Sequence, residues 1–186
     1  MKNKNIVAFT RFLAFLLAMV SAMSCSQRDN PVETSAPAIE QTPRLIMLPK
    51  VETNNLSKGD IDLAFVTVES GGTLSLAARH GKVTVTATLN VPAGSVSRNV
   101  VIFGYLDPKY LAVAFFPSGL RFKQGKPAVL DFEAKGLGLS PGADVKLYYI
   151  DGNTYMQIPA NISVDSFGNL QCQAYIQHFS RYAFGF

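Results

Sequence analysis

The chain of 186 residues has no tryptophan, two histidines, two cysteines and only 16% charged residues. Each shortage excludes something. His80 and His178 are far apart, and neither has a second His, Cys or carboxylate at metal-ligand spacing, so the sequence offers no metal centre. There is no G-x-S-x-G elbow for a hydrolase. Gly136-Leu137-Gly138 before Ser140-Pro141-Gly142 misses the dinucleotide fingerprint. No cofactor is expected. The carboxylate pairs Asp60 with Asp62 and Asp131 with Glu133 read as solvated, or as weak calcium contacts at most. No run of Lys or Arg is present. The first 24 residues hold three of the 17 basic residues and none of the 13 acidic ones, leaving 14 against 13. A nearly neutral mature chain gives no electrostatic reason to bind nucleic acid, despite an isoelectric point near 9.1. The lack of tryptophan also disfavours a sugar-stacking platform.

What is present begins at the N-terminus. Lys2, Lys4 and Arg11 form a basic region, and Phe12 to Met23 is apolar but too short to span a bilayer. Small residues then lead to Cys25. Residues 1–24 are therefore expected to be an export signal, and the mature protein to work outside the cytoplasm. Two processing routes fit. Ser24 before Cys25 suits bacterial lipoprotein maturation, with acylation of Cys25 as a membrane anchor, although Ala22 and Met23 match that pattern loosely. Ala22-Met23-Ser24 also suits ordinary signal peptidase, which would release a secreted protein. In the lipoprotein reading, a residue other than Asp after the cysteine, here Ser26, implies sorting to the outer membrane. Cys172 is then left without a partner and reads as a small buried apolar residue, since Gln171 and Gln173 provide no electropositive setting for a reactive thiol.

Residues 25–60 are polar, with prolines at 31, 37, 43 and 49, and read as a semi-extended linker. Leu45 to Leu48 is its one apolar patch, expected to dock on the domain that follows. From Ile61 to Phe186 the pattern is strand after strand. Val83, Val85, Ala87, Leu89 and Val91 alternate with Thr84, Thr86, Thr88 and Asn90, a period of two. The runs Val100 to Leu106 and Leu111 to Phe116 are continuously apolar, which predicts strands covered on both sides. Asp151-Gly152-Asn153 signals a hairpin and Asp165-Ser166-Phe167-Gly168-Asn169 another turn. No segment carries a helical period. The expected fold is all-β: a single antiparallel β-sandwich over 61–186.

Five motifs recur in order: Gly71-Gly72-Thr73-Leu74, Leu89-Asn90-Val91-Pro92-Ala93-Gly94, Pro117-Ser118-Gly119-Leu120-Arg121-Phe122, Lys126-Pro127-Ala128 and His178-Phe179-Ser180-Arg181-Tyr182. Together they resemble the ZU5 domain, in its short bacterial lipoprotein form, over residues 70–186. The resemblance implies a β-sandwich that presents a surface to a protein partner. Ankyrin repeats, a death domain and a second sandwich are missing, so the partners of the animal proteins do not carry over.

The same resemblance makes His178-Phe179-Ser180 a candidate self-cleavage site. Ser180 Oγ would attack the Phe179 carbonyl, with His178 as a weak candidate for the base. The alternative is a bend in which Phe179 packs in the core and the flanking polar groups bond to backbone. For binding, the aromatic positions of the hairpin, Tyr148, Tyr149 and Tyr155, are the first choice. The leading expectation is a non-enzymatic, membrane-anchored module for an unknown protein or surface partner. A self-processing domain and a carbohydrate-adhesion module are the alternatives.

Overall fold

The computed structural model describes residues 42–50 and 60–186. The signal, Cys25 and most of the linker lie outside these residues. Among the described residues there is no helix. Eleven strands form two antiparallel sheets packed face to face, a β-sandwich.

The strands are β1 (Ile61–Val66), β2 (Gly72–His80), β3 (Val83–Val91), β4 (Val100–Leu106), β5 (Ala112–Phe116), β6 (Ala128–Lys135), β7 (Lys146–Asp151), β8 (Thr154–Ile158), β9 (Ala160–Val164), β10 (Leu170–Ile176) and β11 (Arg181–Gly185). The six-stranded sheet runs β1-β4-β5-β11-β7-β8. The five-stranded sheet runs β2-β3-β6-β10-β9.

The period-two pattern becomes a core in an orderly way. Leu74 and Leu76 of β2, Val85 and Leu89 of β3, Leu130 and Phe132 of β6, and Leu170 and Cys172 of β10 all turn inward and are buried. Ile102, Val113, Phe115, Leu147, Tyr182 and Phe184 meet them from the six-stranded sheet. Phe132 and Phe184 touch across the layers with ring centroids 4.6 Å apart. The chain changes sheets repeatedly, and at the first change, from β1 to β2, Gly71 makes the corner. Its φ is +72°, and a Cβ there would fall 2.1 Å from the Val91 carbonyl oxygen.

Residues 42–50 belong to the packed unit, so the domain reaches further back than position 61. Ile46 N–H donates to Phe184 C=O at 2.9 Å, Leu111 N–H to Ile46 C=O at 2.8 Å, and Leu48 N–H to Lys109 C=O at 2.8 Å. Ile46 and Leu48 are buried in the main core, and Leu45 packs on the other side of the sheet. The expected docking of Leu45–Leu48 is thus observed, as a short strap at the end of β11.

Two strand readings need correcting. β5 is covered on both sides as expected, but β4 is not: Val101 and Phe103 stand in solvent while Ile102, Gly104 and Leu106 face the core. Leu45 of the strap, with Tyr110 and Tyr155, covers the middle of the outer face of the six-stranded sheet, and none of them packs on the outer row of β4. β9 was not anticipated. Ala160–Val164 alternates only weakly, between half-buried and exposed residues.

Candidate functional site

The outer face of the five-stranded sheet is mainly polar, with Ala77, Val129 and the exposed Tyr175 as its apolar members. Thr73 Oγ1 donates to Asn90 Oδ1 at 3.0 Å, Asn90 Nδ2 to Asp131 Oδ2 at 3.4 Å, and Gln173 Nε2 to Asp131 Oδ1 at 2.8 Å. Lys135 pairs with Glu133 at 3.0 Å. This ladder crosses β2, β3, β6 and β10 and satisfies its own members.

The outer face of the six-stranded sheet differs. Its middle is a second small core: Ala112, Ile150 and Ala183 are buried beneath Leu45, Tyr110 and Tyr155. Arg181 and Asp107 bridge beside it at 2.7 Å, and Asp107 also accepts the N–H groups of Lys109 and Tyr110. On the flank formed by β1, β4 and β5 nothing among the described residues covers the sheet. Ile61 is 45% exposed, Leu63 68%, Phe65 59%, Val101 57% and Phe103 43%. The register places Leu63 opposite Phe103 and Phe65 opposite Val101, so they share one face. Phe103 stacks on Phe116 of β5 at 4.6 Å, and Tyr105 stands beside Phe116 at 6.1 Å. The exposed apolar surface is on the order of 400–600 Å², the scale of the largest patch on a typical monomer, which is often functional. This face is the candidate site.

The sequence did not single these residues out. Ile61, Leu63 and Phe65 alternate with Asp62, Ala64 and Val66, and either row could have been the buried one. The signal that was available is the apolar character of both rows, which leaves one of them in water wherever a second layer is missing.

The three tyrosines chosen from the sequence do not form one exposed surface. Tyr148 and Tyr155 stand on the outer face and Tyr149 on the inner, as the pairs Ile150 with Tyr155 and Tyr149 with Met156 require. All three are half-buried, and Tyr155 belongs to the second core. Tyr149 meets His178 edge-on at 4.6 Å and Tyr182 at 6.1 Å, lining a groove of about 470 Å³ with Met156, Ile158 and Tyr175.

At His178-Phe179-Ser180, Phe179 is buried against Phe115 and Phe122, with ring centroids at 5.7 and 5.2 Å. Its N–H donates to Leu120 C=O and its own C=O accepts from Gly119 N–H. Ser180 Oγ donates to Ile150 C=O at 2.9 Å, which directs its proton to a backbone carbonyl. The His178 carbonyl accepts the Tyr182 hydroxyl. Burial, and to a lesser degree the neighbouring Tyr149, raises the Tyr182 phenol above its ordinary value. Burial, aided by Asp131, pushes the Cys172 thiol up to about 12. That thiol is inert at neutral pH. His80, the other histidine, is buried at the end of β2 with neither ring nitrogen partnered among the described residues. The described residues contain no group of three His, Cys, Asp or Glu placed to hold a metal.

The fold therefore defines a β-sandwich with one polar and one partly apolar outer face. Comparison with known protein families, with curated proteins and with solved structures finds no match. The ZU5 resemblance accordingly rests on the order of the five motifs alone.

Proposed function

We propose that this protein is a non-enzymatic binding module, held at the outer membrane outside the cytoplasm by acylated Cys25, that docks a protein partner on the face made by β1, β4 and β5. The observation that carries the reading is the contiguous exposure of Ile61, Leu63, Phe65, Val101 and Phe103 on a sheet whose middle is already covered. Soluble domains bury such rows or use them. The Cys25 signal supplies the anchor, and the ZU5-like motif order supports a sandwich that presents a surface.

The test places a photo-reactive side chain at Leu63, at Phe103 or at Thr86 in the native host, and weighs the recovered protein. Adducts to one defined protein from Leu63 and Phe103, none from Thr86, and an acylated mass are expected. Equal labelling from both faces would overturn the docking face. An unacylated mass would overturn the anchor, and a chain ending at Phe179 would replace the whole reading with self-processing.

A further inference from the structure

We infer that β1 is a strand-addition site, which takes up an extended segment of a partner protein carrying apolar residues at alternate positions and Lys or Arg between them. This rests on the docking face proposed above and names its occupant.

The hydrogen-bond parity of β1 comes first. Leu106 N–H donates to Asp60 C=O at 2.9 Å, so the even-numbered residues Asp60, Asp62, Ala64 and Val66 direct their backbone groups toward β4. The backbone groups of Ile61, Leu63 and Phe65 point away from β4 to the free edge, where the Phe65 C=O lies beside Gly72 at the β1–β2 corner. These are the same three residues whose side chains stand on the apolar face. A strand added alongside β1 would pair with their N–H and C=O groups and lay its own apolar side chains beside Leu63 and Phe65, widening a face that continues into Val101 and Phe103.

The other three edges lack this combination. On β2 the outward residues are Thr73, Ser75, Ala77 and Arg79, and on β9 they are Asn161 and Ser163. On β8 they are Tyr155, packed into the second core, and Gln157. Among the described residues, only β1 combines an edge backbone that pairs with no neighbouring strand and exposed large apolar side chains at the same positions.

Charge then selects the occupant. Asp62 Oδ1 accepts the Leu63 N–H at 2.8 Å, so a carboxylate caps the central donor of the free edge. A second copy pairing antiparallel about Leu63 would bring the two Asp62 side chains to diagonal positions, where like charges repel. A basic residue set opposite Asp62 does the reverse. It draws the carboxylate aside, frees the Leu63 N–H for a partner carbonyl, and leaves the alternate residues to meet the apolar face.

The full chain is titrated with a peptide of about eight residues alternating lysine and valine, long enough to match the strand, and amide exchange is followed by NMR. We expect the amides of Ile61, Leu63 and Phe65 to slow by at least about tenfold, the protection of a paired edge. A glutamate–valine peptide should bind at least about tenfold more weakly, and a backbone N-methylated lysine–valine peptide should give no protection. Asp62→Asn should weaken the lysine–valine peptide by about threefold, the scale of one exposed ion pair. Shifts at Val101 and Phe103 with unchanged amides at 61, 63 and 65 would overturn strand addition while leaving the docking face standing. No shift at either place would count against both. A concentration-dependent dimer with those amides protected before any peptide is added would make the occupant a second copy. Equal protection by phosphatidylcholine vesicles would make it a lipid surface. Either result overturns the proposal.

Discussion

The two outer faces of this sandwich are built from the same kind of strand and end up chemically opposite. On the five-stranded sheet, Thr73, Asn90, Asp131 and Gln173 bond to one another across four strands, and the face is finished in water. On the six-stranded sheet, the outward row is apolar, and the chain covers only its middle with Leu45, Tyr110 and Tyr155. The flank with Leu63, Phe65, Val101 and Phe103 is left open. Between them lies one continuous core. The difference teaches that a hydrogen-bonded polar face needs no second layer, while the apolar flank remains as a surface that costs free energy to hydrate.

The comparison breaks most completely if the shared core fails. Phe179 touches both Phe115 and Phe122, so Phe179→Ala should lose about 3–5 kcal/mol in denaturant unfolding and take both faces with it. A smaller loss would mean that the bend before β11 is not part of the cooperative unit.

The second effect lies beneath the polar face. A Cys172 thiol near 12 in the folded state, against 9.0 unperturbed, contributes stability that is fully present below pH 9. It is lost as pH rises from 9 toward 12, because the unfolded thiol ionises first. Unfolding curves measured from pH 8 to 11 should show that decline, and Cys172→Ala should remove its onset between pH 9 and 10, below the range where Tyr182 contributes. The native thiol should also react with a disulfide reagent far more slowly than in urea, since three pKa units leave about a thousandfold less thiolate.

Smaller changes sharpen the contrast. Asp131→Ala removes the centre of the polar ladder and should cost about 1 kcal/mol without changing cross-linking from Leu63. Leu63→Lys should leave stability within about 0.5 kcal/mol, as for an exposed site, yet abolish adducts at that face. A large loss of stability from Leu63→Lys would show that the flank is structural and end the docking proposal.

Much of the fold was legible before any coordinates. The threonine-alternating strand, the Asp151-Gly152-Asn153 hairpin and the row from Leu170 to Ile176 each carry a period or a turn that physics reads locally. β9 was not legible, because Asn161 and Ser163 alternate with residues that are only half-buried, and its place was settled by pairing with β10. The candidate site was hidden for a related reason. Ile61-Asp62-Leu63-Ala64-Phe65-Val66 and Val100 to Leu106 show apolar residues on both faces, which local rules take as burial on both sides. The tyrosines of the hairpin pointed the other way: aromatic residues beside a turn look exposed, yet Tyr155 packs in the second core and Tyr149 lies against His178.

The sequence by itself determined that most residues from Ile61 onward form antiparallel strands, and in the strictly alternating ones which row turns inward, because a period of two is a property of the backbone. It also marked Cys172 as a small residue for the core, and Cys172 is buried there. Tertiary structure alone decided which apolar rows would be covered. That depends on where the strap of residues 42–50 crosses the sheet, which strands fall at the edges, and how far a second layer extends. These are relations between residues distant in the chain, and no local pattern encodes them.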